Sequence, residues 1–511
     1  MRVKYCLPLA VASLLAGPAF AGDACPSPVE IVAGAPAAQA GSGRLLLFAQ
    51  KAAPGAPPPT ALHADPFEPK IFAAAREVAG LTAGASLRFY PGDIAYPAPI
   101  DQLAPGDYWV QALLDRDHSY AYSGRGPGDV VSKVMRVSFP CGSAQLELDT
   151  VSPAAASQWE YPGMKRPWAP GERELVEARI KPFALDSGAL QAFAGRPVQL
   201  KGYVLTPPGY DGSDKRYPVV YFTHGFQAGM TALADSAIGV LRQTVAGSLP
   251  PMIWVFLDQS SPTGTHEFAD SVNNGPWGTA LTRELLPEID RRYRTDPQAG
   301  RYVMGHSSGG WAALWLQVAY PKLFRGAWAT SPDYVDFTSY AGLDLTDPKA
   351  VHGALENARM EEVLGEYGGQ EQSFEWVFSP RGADGRPLRL YDRRTGAIDR
   401  AVADYWIANW DISRRVRTRW PQLKDDLDGK IHIVVGANDE FKLDVSVRRF
   451  DAVLKSLGAH ASIDYLPGKG HFNLYAEGTE RQALRRRIGW QIWKAAYPSS
   501  SLKDPGPPPQ N

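Results

Sequence analysis

Arg301-Tyr302-Val303-Met304-Gly305-His306-Ser307-Ser308-Gly309-Gly310-Trp311 is the stretch on which the reading of this 511-residue chain turns. Its apolar start suits a short buried strand, small residues crowd the middle, and a helical pattern runs from about Gly309 to Ala319. The spacing Gly305-x-Ser307-x-Gly309 sets glycine on both sides of a serine, at a turn too tight for flanking side chains. Ser307 is then left at the apex, with strained backbone angles and its hydroxyl pointing outward, as a candidate nucleophile. Gly310, Ala312 and Ala313 let the helix pack close behind it. In a chain with 49 glycines the spacing alone carries little weight. The strand before and the helix after give it meaning.

Working outward, buried strands are expected at Val198–Val204, Pro218–Thr223, Met252–Leu257, Arg325–Thr330, Ile431–Gly436 and Ala461–Leu466. Helices are expected over Thr279–Tyr293, with Pro287 kinking it, and over Val445–Leu457 and Glu480–Ala496. Apolar strands alternating with helices predict a doubly wound, mostly parallel α/β sheet covered on both faces, spanning 196–497. An insertion from about 333 to 427 breaks the rhythm. It follows the carboxyl end of a strand, which places it over the ligand crevice as a cap. It holds ten arginines against five aspartates between Ser379 and Trp420, which with Trp406 and Trp410 suit a sugar-bearing or anionic ester. A small aromatic core of its own is the better explanation for most of its tryptophans.

Upstream, residues 22–149 alternate β-like runs (Leu45–Phe48, Ser86–Tyr90, Tyr108–Leu113, Val134–Phe139) with turn chemistry such as Pro91-Gly92-Asp93. That pattern predicts a small antiparallel all-β sandwich. A proline-rich linker or arm is expected over 150–195, and a disordered Pro/Ser-rich tail over 498–511.

A serine hydroxyl needs a base to take its proton and a third group to orient that base. In the α/β-hydrolase fold the chain order is serine, acid, histidine. Only His352, His432, His460 and His471 follow Ser307. His352 lies in the insertion, His432 within a strand and His460 at a helix end, whereas His471 follows Pro467-Gly468-Lys469-Gly470 after the last strand, where the base belongs. The acid belongs just past the preceding strand, where Asp439 is the expectation, with Glu440 one step on and Asp444 third. Two backbone N–H groups should meet the oxyanion. Ser308 supplies one; the other comes from Phe226, after His224-Gly225 at the end of an earlier strand.

With these residues in order, the chain resembles the putative-esterase family of α/β-hydrolases, which holds esterase D, feruloyl, acetylxylan and enterochelin esterases and mycolyltransferases. The resemblance rests on the strand ending in His224-Gly225, on GPWG…ELLPEID, GHSSGG, GANDEF and GKGHF, over about Gln199–Tyr334 and Gly429–Tyr497. It implies Ser307 as nucleophile, His471 as base, Asp439 as acid, and Phe226 and Ser308 N–H groups at the oxyanion.

Arg2 and Lys4, the apolar run Leu7–Leu15 and Ala19-Phe20-Ala21 read as a secretory signal peptide over 1–21, too short to span a bilayer. An exported, periplasmic or secreted protein is therefore expected. Cys6 leaves with that segment, and a Cys25–Cys141 disulfide is expected in an oxidising compartment. The formal net charge of −1 makes no electrostatic case for nucleic acid or a membrane surface. No metal-ligand spacing or cofactor loop is present in the sequence, so neither is expected. The function expected is hydrolysis of a small or carbohydrate-linked carboxylic ester through an acyl-enzyme. The alternatives are an acyltransferase using the same intermediate, a serine peptidase, or a binding protein on a degenerate hydrolase fold.

Overall fold

The computed structural model describes residues 29–64 and 71–506. The expected signal peptide and Cys25 lie outside the described residues.

The main sheet has eight strands: β1 (Ile180–Asp186), β2 (Gln199–Leu205), β3 (Val219–Thr223), β4 (Ile253–Leu257), β5 (Arg301–His306), β6 (Ala327–Thr330), β7 (Ile431–Gly436) and β8 (Ala461–Leu466). Their order is β1-β2-β4-β3-β5-β6-β7-β8. β1 pairs antiparallel with β2, and β2 antiparallel with β4; every later pairing is parallel. The uninterrupted apolar runs follow from burial on both faces. Val219, Tyr221, Ile253 and Val255 point into one core; Val220, Phe222, Trp254 and Phe256 point into the other.

Helices α1 (Met230–Val245) and α6 (Ala483–Ala496) cover the second core. Helices α2 (Ser308–Ala319), α4 (Ile412–Leu427) and α5 (Leu443–Ser456) cover the first, and α3 (Gln370–Phe378) in the insertion joins them.

Four expectations need correcting. The stretch read as a linker contains β1, the edge strand of the main sheet, besides a helix at Glu172–Arg179 and another at Gly188–Ala194. Its Ile-Lys-Pro-Phe-Ala-Leu-Asp sequence has only Ile180 buried, so periodicity gave too weak a strand signal. The helix expected over Thr279–Tyr293 is continuous but not regular, carrying a π-helical turn at Leu281–Leu285 just before Pro287 and ahead of Leu286–Arg292. Widening that turn removes the clash between the proline ring and the carbonyl four residues back.

The tail expected to be disordered is partly fastened, since Arg486 Nη1 donates to Asp504 Oδ2 at 2.5 Å. Finally, the insertion's tryptophans do not form a separate core. Trp406 and Trp410 belong to the core under α2, with Trp315 and Trp410 ring centroids 5.0 Å apart and Trp311 4.9 Å from Phe378.

The N-terminal strands lie in a three-stranded and a seven-stranded sheet whose inward residues share one core, including Ile31, Leu45, Val110 and Leu146. They are not purely antiparallel, because Val29–Ala33 pairs parallel with Ala144–Leu148. This region also touches the insertion. Arg44 Nε donates to the carbonyl of Val363 at 3.0 Å, and Tyr96 Oη to Glu356 at 2.6 Å.

Candidate active site

Ser307 sits between β5 and α2 with φ 59° and ψ −126°, a conformation costly for a residue with a side chain. The flanking glycines are required by space. A Cβ on Gly305 would lie 2.0 Å from the carbonyl oxygen of Gly309, and one on Gly309 would lie 2.4 Å from that of Thr223. Ser308 opens α2, so its N–H precedes the helix's own hydrogen-bond ladder.

The loop after β3 passes directly beside the serine, since a Cβ on Gly225 would meet Ser307 Cβ at 3.2 Å. His224 braces it, with Nδ1 2.7 Å from the Gly225 carbonyl and Nε2 3.0 Å from Asp258. From the N-terminal region, Tyr122 packs edge-on against Phe226 at 5.2 Å and donates its hydroxyl to the Ala228 carbonyl at 2.6 Å.

His471 is buried, and its Nδ1 lies 3.1 Å from Asp439 Oδ2. Burial pushes the Asp439 carboxyl up, but the hydrogen bond and charge of His471, the Ser331 hydroxyl and the Phe441 N–H outweigh it. The net effect holds Asp439 below its ordinary range, hence ionised at neutral pH. Glu440 serves the same loop differently, accepting the backbone N–H of His471 at 2.5 Å. Asp444 faces Arg448 instead. His352 stacks on Tyr391, His432 stacks on Trp328, and His460 pairs with Asp428.

Ser307, His471 and Phe226 line one cavity of about 330 Å³, walled also by Tyr334, Phe441 and Phe472 and by Asn357, Glu361, Glu371 and Phe374 of the insertion. No lysine or arginine lines it among the described residues. The insertion's arginines point elsewhere: Arg386 to Glu366, Arg393 to Glu375, and Arg415 over Trp315. A larger cleft of about 780 Å³, between Phe193, Arg196, Asn274 and Trp376, contains neither Ser307 nor His471. Asp115, Asp117 and Asp129 cluster in the N-terminal region, and Asp115 and Asp129 accept backbone N–H groups of Tyr120 and Gly126, bracing loops.

Two carboxyl groups at the site escaped the sequence reading. Asp333, two residues beyond the Ser331 that follows β6, accepts the Ser307 hydroxyl at 3.2 Å and the Ser308 hydroxyl at 2.6 Å. Glu267, in the loop after β4, is buried beside it with φ 53°. A strand-end aspartate one strand from the elbow was a usable signal for Asp333. Nothing local marks Glu267.

An eight-stranded sheet in this order, with a glycine-flanked serine after its fifth strand, defines an α/β-hydrolase. The chain belongs to the Esterase family, whose model, described as Putative esterase, matches residues 197–495. Esterase MT1326 of Mycobacterium tuberculosis (strain CDC 1551 / Oshkosh) is 34% identical over 131 residues, 24% of this chain and 27% of that protein. The chain thus spans about a quarter of the length of the curated relatives it matches. Among solved structures it is similar to a ferulic acid esterase, with 16% identity, TM-score 0.39, and coverage of 62% of this chain and 98% of that one. It is also similar to an S-formylglutathione hydrolase from Agrobacterium tumefaciens, with 14% identity, TM-score 0.38, and 62% and 94% coverage.

Proposed function

We propose that this protein is an exported serine esterase that cleaves a small carboxylic ester through an acyl-enzyme on Ser307. The observation that carries the reading is a strained apex serine sharing a cavity with His471, whose far ring nitrogen is held by an ionised Asp439.

In the first half-reaction the Ser307 oxygen attacks the ester carbonyl while His471 Nε2 takes the hydroxyl proton. The oxyanion receives hydrogen bonds from the N–H groups of Phe226 and Ser308. The intermediate collapses, the C–O bond breaks, and the alcohol leaves with the proton from His471. Water then repeats the sequence on the acyl-enzyme and frees the acid. Asp439 keeps the imidazole oriented and stabilises its cation. Glu440 fixes the backbone from which the imidazole hangs.

The insertion, read as a cap, selects the substrate, because its Asn357, Glu361, Glu371 and Phe374 complete the cavity wall. With acceptors and aromatic rings there and no cation, the wall suits a neutral, hydroxyl-bearing group better than an anionic one. We assign the N-terminal sheets to a separate β-sandwich domain that supports the Phe226 loop, and 1–21 to a signal peptide. A Cys25–Cys141 bridge clamps the ends of that domain.

Hydrolysis of p-nitrophenyl esters of graded chain length, with and without an alcohol acceptor, tests the reading. Fluorophosphonate labelling should fall on Ser307. Labelling of another serine rejects the assignment, and acyl transfer to the alcohol in preference to water makes the protein an acyltransferase.

A further inference from the structure

Asp333 makes three hydrogen bonds to two consecutive residues of the elbow. Its carboxylate accepts the hydroxyls of Ser307 and Ser308, and its own N–H donates to the Ser307 carbonyl at 3.2 Å. No part of the proposed reaction uses this group, and a buried carboxylate is costly to keep without a purpose. Resting on the serine-esterase reading above, we infer that Asp333 is a positioning residue, which in its ionised form holds the Ser308 turn in register and keeps the resting Ser307 hydroxyl until its proton swings to His471.

The chemistry requires the ionised form. A carboxylate offers acceptors on both oxygens, so it can take both serine hydroxyls together. Once protonated it has a donor on one oxygen, and the serine hydroxyl facing that oxygen must turn its own proton elsewhere and accept instead. The hydrogen bonds that hold the turn carrying the Ser308 N–H, one of the oxyanion donors, are then rearranged.

The titratable groups facing Asp333 are Glu267 from the loop after β4, Asp439 after β7, His471 after β8, and the adjacent Tyr334. Glu267 is the telling one. Burial followed by the charge of Asp333 pushes its pKa far up, against a weaker pull from the Ser308 hydroxyl. It therefore keeps its proton and leaves a single negative charge beneath the elbow, on Asp333. Burial lifts Asp333 itself to about 6, against the pull of Ser308, His471 and Ser307. Activity that needs Asp333 ionised falls as pH drops through that value, in addition to any loss from protonating His471.

The test is the acid limb of kcat/KM on p-nitrophenyl acetate, read together with fluorophosphonate labelling. In the wild type the limb should approach a two-proton slope. Asp333→Asn, an isostere of the protonated acid, should lower kcat about 10- to 100-fold with little change in KM. It should also leave a one-proton limb. Ser308→Ala removes a hydrogen bond to the charged form, so one of the two protons should titrate at higher pH. A one-proton limb in the wild type overturns the inference, and needs no variant that might misfold. So does an Asp333→Asn profile that superimposes on the wild type. If Ser307 in the wild type is not labelled at all, the esterase reading fails instead, and the two failures are told apart.

Discussion

Asp439 and Glu440 are adjacent carboxylates that touch the same histidine in different places, one on the ring and one on the backbone N–H. Their removal should therefore differ in kind. Asp439→Asn disturbs the tautomer and the cation, and kcat should fall on the order of 10⁴-fold. Glu440→Gln keeps an acceptor for the N–H, so the loss should stay within about 10-fold. Steady-state rates on one acetyl ester decide the order. Ser307→Ala should abolish turnover with the melting temperature preserved.

Asp333 adds a stability prediction of opposite sign. Its folded-state pKa of about 6 lies above the ordinary 3.8, so the folded chain holds a proton that the unfolded chain gives up. That contribution is present at low pH and is lost as pH rises between those two values. Asp333→Asn should accordingly melt a few degrees higher than wild type at pH 8, with the gap closing near pH 4, as followed by calorimetry. A lower rate joined to a higher melting temperature marks a residue kept for function.

At the scale of elements, what was legible in the sequence followed packing. Strands such as Val219–Thr223 and Ile253–Leu257 are buried on both faces and showed as unbroken apolar runs. The elbow, Asp439 and His471 could be placed because each sits at a fixed point relative to such a strand. β1 was missed because an edge strand with one buried residue carries no such run. Glu267 was missed because its role depends on Asp333, remote in sequence. The insertion misled for a related reason. Its arginines and tryptophans are conspicuous in sequence, yet Trp406 is buried in the main core and Arg393 is spent on Glu375. The cavity wall instead receives Glu371 and Phe374 from α3. Esters with a carboxylate on the acyl chain should be cleaved at least about 10-fold less efficiently than neutral esters of equal length, since a buried anion would find no cation. Phe374→Ala should change the ratios of kcat/KM among acyl chains far more than Arg417→Ala, which lies outside the wall. Equal effects of the two on those ratios would remove the insertion from substrate choice.

For the whole molecule, Tyr122 is the contact that joins the N-terminal region to the candidate site, beside those Arg44 and Tyr96 make to the insertion. It reaches from the N-terminal sheets to the loop that presents the Phe226 N–H. Tyr122→Phe removes one buried hydrogen bond, worth about 1 kcal/mol, and should lower kcat roughly 5-fold with KM little changed. Mass mapping without reduction should find Cys25 joined to Cys141; two alkylatable thiols would leave the N-terminal region held by packing alone.

The same tyrosine has a consequence for heating. Ser307, His471 and Asp439 all hang from the main sheet, but the loop carrying Phe226 leans on a body that has a core of its own besides the one it shares with the insertion. If that body loosens first, the rate should collapse while the hydrolase sheet still gives its full circular-dichroism signal and Ser307 still reacts slowly with a fluorophosphonate. Activity would then serve as a thermometer for the joint between the two bodies, recording its parting some degrees before the enzyme as a whole melts.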